Sequence, residues 1–184
     1  MMPDGQPGRE DGPLRGTDLK RFHREARREY SGGSEITIVC ENVQDPVNVG
    51  TVFRIGDAVH VREIVLAGTS ALPGPSRRVL TAAARGKEDV IPWRHAPEAA
   101  AALRELAAGG VTACALEIAG NAVAYHEAAY PRRLALVVGN EEYGVTRRTL
   151  AACPLRVFVP MFGRGRSLNV AVSLAVVAYR VLLP

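Results

Sequence analysis

Cysteine is scarce in this sequence, and the little there is carries no pattern. Cys40, Cys114 and Cys153 stand far apart, each among apolar neighbours, with no Cys-x-x-Cys pair and no His at ligand spacing. A disulfide scaffold and a zinc ribbon are both excluded by that spacing, and reduced, buried thiols in a cytosolic protein are the expectation. A membrane-length apolar run is lacking too. The most apolar stretch, Leu168 to Leu183, is only ~16 residues against the ~20 a span needs, and Asn169, Ser173 and Arg180 interrupt it. The N-terminus is polar and rich in Gly and Pro, so no secretory leader is expected. Two phosphate-binding fingerprints also fail. Gly163-x-Gly165 has Leu168 where a third glycine belongs, and the Gly139 to Gly144 spacing is followed by Val145 rather than Lys. Neither a Rossmann dehydrogenase nor a P-loop NTPase is supported.

What is present fits one domain of 184 residues with a net charge of +4 and a pI of about 9.2. Arg supplies nearly all of the basic excess, which is consistent either with a polyanionic partner or with the codon bias of a GC-rich genome. Residues 1 to 16 hold Gly and Pro among charges and are expected to be disordered. From Asp18 to Tyr30, Leu19, Phe22, Ala26 and Tyr30 fall at helical spacing among Lys20, Arg21, Arg24, Arg27 and Arg28. That pattern predicts a short basic amphipathic helix, packed through its apolar face or touching nucleic acid. Ser31 to Ser34 reads as a hinge, dividing the chain into a tail with a helix (1–33) and a domain (34–184).

Within the domain, apolar runs alternate with helical patterns. Strands are expected at Ile36–Cys40, Glu63–Ala67, Val111–Ile118, Leu134–Val138 and Leu155–Val159, with an edge element at Val90–Ile91. Helices are expected over Thr51–Val59 with Asn48 as N-cap, Arg77–Ala84, Pro97–Ala108 and Ser167–Leu183, and a short one opened by Thr146. The alternation gives an α/β domain with a mostly parallel sheet. Three loops carry polar groups just after a strand: 41–54, 139–146 and 160–169. In a parallel sheet all three open on one edge, where ligands bind. Gly163, Gly165, Arg164 and Arg166 ahead of a helix start describe either an anion or nucleotide site or an ordinary strand-to-helix connection.

Together the loops resemble the three signature motifs of the SpoU family of RNA ribose 2′-O-methyltransferases, within the SPOUT superfamily. The first motif, Asn-x-Gly-x-x-x-Arg, stands as Asn48-Val49-Gly50-Thr51-Val52-Phe53-Arg54, with Asn42, Asp45 and Pro46 ahead of it. The second is Val137-Val138-Gly139-Asn140-Glu141-Glu142-Tyr143-Gly144, and the third is Val159-Pro160-Met161 followed by Ser167-Leu168-Asn169-Val170. His60 replaces a frequent Gly, and Val159 a frequent Ile. The resemblance covers roughly residues 36 to 183. It implies a parallel-sheet SPOUT domain with a C-terminal trefoil knot, a homodimer and a cytoplasmic location. The separate RNA-recognition domain that many members carry ahead of this one is not expected, because 33 residues are too few to hold it.

The implied reaction is methyl transfer from S-adenosyl-L-methionine to a ribose 2′-hydroxyl of tRNA or rRNA. Arg54 corresponds to the family's catalytic arginine, as a general base after strong perturbation or as an electrostatic stabiliser of a developing alkoxide. Asn48, Glu141, Ser167 and Asn169 would position Arg54, the RNA and the methyl donor. Val138, Gly139, Asn140, Val159, Met161, Ser167 and Leu168 would contact the cofactor. No metal is required. The alternatives are an RNA-binding knot without turnover and a base methyltransferase, the latter disfavoured by the Asn-to-Arg first motif. Apolar residues all round Leu168–Leu183 further imply a second covered face, either a two-fold contact through that helix or the N-terminal helix packed on it through Leu19, Phe22 and Tyr30 in a monomer; Val177 and Val181 are the positions that distinguish a partner-facing side from the core.

Overall fold

The computed structural model describes residues 12–29, 33–74 and 77–183. These fall into two compact units: a helix, α1 (Gly16–Glu29), and everything from Gly33 onward. No described residue of α1 is buried, and Leu19 and Phe22 are exposed. Tyr30 and most of the expected disordered tail lie outside the described residues.

The second unit runs β1 (Glu35–Glu41), α2 (Pro46–Ala58), β2 (Glu63–Ala67), α3 (Arg78–Ala84), β3 (Trp93–Ala96), α4 (Ala99–Ala108), β4 (Thr112–Leu116), β5 (Val123–Ala124), β6 (Arg133–Val138), α5 (Arg147–Ala151), β7 (Leu155–Phe158) and α6 (Val170–Leu182). All strand pairs are parallel, in the order β3-β2-β1-β6-β4-β7-β5. The α/β parallel sheet read from the alternation is therefore present.

Side chains alternate across the sheet and make two cores. Ile36, Ile38, Cys40, Leu134, Leu136 and Val138 face α2 and α6 on one side. Val39, Ala135 and Val137, with Ala113 and Ala115 of β4, face the other side with α4. Both central strands are thus buried on both faces, which is why they read as continuous apolar runs rather than alternating ones. Gly50 is where α2 and α3 touch. A Cβ there would stand 2.5 Å from the Leu80 carbonyl oxygen and 2.6 Å from the Ala83 side chain, so any larger residue would push α3 away.

Several element boundaries differ from expectation, each for a local reason. α2 starts at Pro46, not Thr51, and its N-cap is Asp45, whose carboxylate accepts from the Val47 amide at 2.8 Å. Pro46 suits the first helical position because its missing N–H would have no partner there. Asn48 lies inside the helix, and its side chain is free for tertiary work. α6 starts after Asn169, not at Ser167; the Asn169 side chain accepts from the amides of Ala171 and Val172. Pro97 precedes the Glu98 cap of α4, and the edge strand is Trp93–Ala96 rather than Val90–Ile91. β5, two residues long, was not foreseen.

In α6, Leu174, Val177, Ala178 and Val181 recur at helical spacing and are buried against the rest of the domain. Of the two outcomes open for Val177 and Val181, the structure gives the core one. Val172 and Tyr179 of this helix, and its C-cap Leu183, are left exposed. After β7 the chain returns to pack α6 on α2 and β6, and near its end the Val181 carbonyl accepts from Ser34 Oγ at 3.4 Å. Among the described residues no helix is long and apolar enough to cross a membrane.

Candidate functional site

The carboxyl ends of β4, β6 and β7 meet the start of α6 around a cavity of about 410 Å³. Its apolar wall includes Leu116, Val138, Val157, Val159, Met161 and Val177. Its polar groups include Glu117, Asn140, Glu141, Glu142, Ser167 and Asn169. Every residue expected to contact a cofactor lines this cavity: Val138, Gly139, Asn140, Val159, Met161, Ser167 and Leu168.

The Gly139–Gly144 turn closes one side, and its shape follows from Asn140. The backbones of Asn140 and Gly144 exchange hydrogen bonds at 3.1 and 2.9 Å. The Asn140 side-chain oxygen accepts from the amides of Glu142 and Tyr143, both at 3.0 Å, and its Nδ2 donates to the Asn42 carbonyl at 2.8 Å. The side chain of Asn140 is therefore engaged in building the turn. A Cβ on Gly139 would overlap the Gly144 and Val145 backbone, and Gly144 has φ of 67°. Both positions need glycine for different reasons, one for close approach and the other for a left-handed backbone.

One chain of hydrogen bonds ties the three loops together. Asn169, while capping α6, donates through Nδ2 to Asn48 Oδ1 at 2.9 Å. Asn48, 6% exposed on α2, donates in turn to Glu141 Oε1 at 2.9 Å. The Glu141 carboxylate also accepts from the amides of Asp45 at 3.2 Å and Gln44 at 3.3 Å. Burial alone would push this carboxyl up. The hydrogen bonds from Asn48, from its own amide and from those of Asp45 and Gln44 outweigh it and hold the group below its usual range.

Arg54 is not brought to the cavity wall. It is exposed on α2 and makes no hydrogen bond or ion pair among the described residues. Six residues beyond Asn48 on the same helix, it stands roughly 9 Å further along the axis. Ser167 is exposed on the cavity wall and has no hydrogen-bond partner among the described residues.

Two carboxylates escaped the sequence reading. Glu117, just past β4, accepts from the amides of Ile118 at 3.0 Å and Val145 at 2.8 Å and faces the cavity. Glu41, at the end of β1 and 6% exposed, accepts from Thr146 N and Oγ1, both at 2.8 Å, and from Thr149 Oγ1 at 2.6 Å, tying α5 to the sheet. Their only sequence signal was a charge ending an apolar strand. The thiols of Cys40, Cys114 and Cys153 are each pushed up to about 12, by burial first, which leaves them protonated and inert. Among the described residues no cluster of His, Cys, Asp and Glu could hold a metal ion.

Known proteins resemble this chain in sequence and in fold. The tRNA (guanosine(18)-2′-O)-methyltransferase of Escherichia coli K12 is 30% identical over 145 residues, covering 79% of this chain and 62% of its own. The 23S rRNA (guanosine(2553)-2′-O)-methyltransferase of Bacillus subtilis is 36% identical over 146 residues, covering 77% of this chain and 56% of its own. The chain therefore spans 62% and 56% of the length of these two relatives. Among solved structures, the AdoMet-bound rRNA methyltransferase from Sinorhizobium meliloti superposes with a TM-score of 0.73 at 28% identity, over 80% of this chain and 55% of that one. The family model described as the SpoU rRNA Methylase family matches residues 35–179, a span that takes in the whole sheet, the cavity and all three loops. By that match the chain belongs to the SpoU rRNA methylase family.

Proposed function

We propose that this chain transfers a methyl group from S-adenosyl-L-methionine to a ribose 2′-hydroxyl of tRNA or rRNA. The observation that carries the reading is the relay from Asn169 through Asn48 to Glu141, which locks three separate loops around one cavity. Family membership and the activities named for the similar enzymes support it.

The cavity suits the cofactor in size and chemistry. About 410 Å³ falls within the range of small-molecule sites. Apolar Leu116, Val138 and Val157 offer surface for an adenine ring. Glu117 offers a carboxylate, and Glu141 another, where a cationic sulfonium and ammonium would be favoured. When bound, S-adenosylmethionine supplies an electrophilic methyl group. The chain must then orient a poorly nucleophilic hydroxyl and stabilise the charge that develops on it.

Arg54 meets that need from α2. A guanidinium in water keeps its proton, so the side chain acts as a cation beside the developing alkoxide and an RNA phosphate, and a phosphate oxygen takes the hydroxyl proton. Ser167, with its hydroxyl free among the described residues, orients the ribose. Asn48, Asn169 and Glu141 are positioning residues that fix the loops.

In this reading residues 34–184 form the catalytic domain and residues 1–33 an appendage with a basic helix. The domain ends in a trefoil knot. Support comes from the return of α6 over β6 to α2, with its end at Ser34. The active unit is a homodimer in the cytoplasm, paired through the exposed stripe of Val172 and Tyr179 on α6, continued by its C-cap Leu183.

The test is incubation with methyl-labelled cofactor and unmodified bacterial tRNA and rRNA, followed by nucleoside mass spectrometry. A 2′-O-methylnucleoside is the expected product. A base-methylated nucleoside, or cofactor binding with no label in RNA, would overturn the proposal.

A further inference from the structure

Two aromatic rings beside the cavity have no structural explanation. Phe162, in the loop after β7, is 98% exposed, and Tyr143, at the tip of the Gly139–Gly144 turn, is 81% exposed. Phe53, by contrast, is completely buried in the core. Neither exposed ring packs on another aromatic ring, and the Tyr143 hydroxyl makes no hydrogen bond, among the described residues. Folding alone would favour a polar residue at both positions.

Their placement is shared. Glu142 and Gly144, on either side of Tyr143, line the cavity, and so does Met161, immediately before Phe162. The Tyr143 backbone is pinned by Asn140, so its ring is displayed from an ordered turn. Arg164 and Arg166 follow Phe162, both exposed and without an ion pair among the described residues. The loop from Pro160 to Asn169 holds no Asp or Glu to neutralise them.

Flat apolar faces and unneutralised guanidinium groups on two lips of one cavity define a chemistry of recognition. An unpaired nucleic-acid strand offers π-faces to stack and phosphates to neutralise. A paired strand hides its bases. A ribose that must enter the cavity likewise has to leave a helix first.

We propose that Phe162 and Tyr143 are a stacking platform for bases of an unpaired RNA segment, whose phosphates Arg164 and Arg166 hold. The substrate nucleotide is then presented from a loop or single strand rather than from a duplex. This rests on the ribose-methylation reading and adds how the RNA is selected.

The test uses a single-stranded RNA dodecamer with 2-aminopurine at its centre, and the same strand annealed to its complement. The wild-type chain is expected to quench 2-aminopurine fluorescence on binding the single strand and to bind the duplex more weakly. Phe162→Leu and Tyr143→Leu keep apolar bulk but remove the flat ring. Each should relieve the quench and weaken binding about tenfold, equivalent to about 1.4 kcal/mol, while Phe162→Trp restores both. S-adenosylmethionine affinity, read by calorimetry, should not move in any of the three, which also reports that the variants fold. Equal affinity for duplex and single strand, or leucine variants that bind and quench like wild type, would overturn the platform. So would leucine variants that turn a dimer into a monomer with unchanged RNA affinity, since the rings would then be covering a second copy. Methyl transfer is scored separately. Quenching without transfer sinks the enzyme reading and leaves the platform standing, and transfer with unperturbed leucine variants does the reverse.

Discussion

Replacing Asn48 with alanine should loosen the site and destabilise the domain by a calculable amount. The substitution removes two hydrogen bonds of 2.9 Å, one from Asn169 Nδ2 and one to the Glu141 carboxylate. A neutral hydrogen bond contributes about 1 kcal/mol net and one to a charged group about 1.5 to 3 kcal/mol. Glu141 is exposed enough for water to replace part of what it loses, so the lower figure applies, and the sum is about 2.5 kcal/mol. For a domain of this size that is a fall in Tm of roughly 5–10 °C. The assay is thermal unfolding followed by circular dichroism, at neutral pH and again at pH ~3. The sign follows from linkage. The Glu141 carboxyl is held below its usual range in the folded chain, partly by Asn48. Its contribution is complete above the unfolded-state value and is lost as pH falls through the folded one. The gap between wild type and Asn48→Ala should therefore be widest at neutral pH and shrink in acid. A gap below about 2 °C at neutral pH, or one that does not change with pH, would refute the relay as an energetic unit.

Other perturbations separate the roles assigned above. Arg54→Ala should abolish methyl transfer while cofactor affinity stays within about twofold. Turnover within about tenfold of wild type, a barrier change of only about 1.4 kcal/mol, would remove Arg54 from the chemistry. Neutralising Lys20, Arg21, Arg24, Arg27 and Arg28 on α1 should weaken RNA binding more at low salt than at high salt. The slope of log affinity against log salt should flatten by about 0.7 for each phosphate no longer neutralised, and an unchanged slope would make α1 purely structural. Val177→Glu places a charge at a fully buried site and should unfold the domain, whereas Val172→Glu and Tyr179→Glu, on the exposed stripe of α6, should yield folded monomers by light scattering. Unchanged dimers in both stripe variants would move the interface elsewhere.

Much of the sheet was legible because central parallel strands carry apolar side chains on both faces. Ile36 to Cys40 and Leu134 to Val138 could hardly be anything else. The site loops were legible as places, since every parallel strand ends on the same edge. Helix starts were harder. Asn48 and Ser167 are both good capping types, yet Asp45 with Pro46 behind it, and Asn169, took those positions. Capping preference names residue types, and the choice between two candidates falls to tertiary contacts that propensity does not encode. The same reason hid Glu41, whose partners Thr146 and Thr149 lie far along the chain. On α6, apolar residues on every face leave the direction of the core undetermined by sequence, and the packing of Leu174, Val177 and Val181 is what sets it.

The residue types in the relay are also directional, and that permits a sharper test. Asn169 accepts from the α6 amides, so its nitrogen must donate onward. Asn48 must accept that bond and donate again, and the line ends on Glu141, a group that only accepts. Asn48→Asp breaks the direction by setting two carboxylates at about hydrogen-bond distance, and should cost stability and cofactor affinity together. Glu141→Gln supplies a donor at the far end. With both changes, the introduced aspartate can accept from Asn169 on one oxygen and from the new glutamine on the other, and the remaining glutamine oxygen can still accept from the Gln44 amide, while the Asp45 amide, which shares Oε1 with Asn48, loses its acceptor. The double variant should therefore recover part of what Asn48→Asp loses, with a coupling of about 1–3 kcal/mol in a double-mutant cycle. Additive losses would mean that Asn48 and Glu141 do not act through each other.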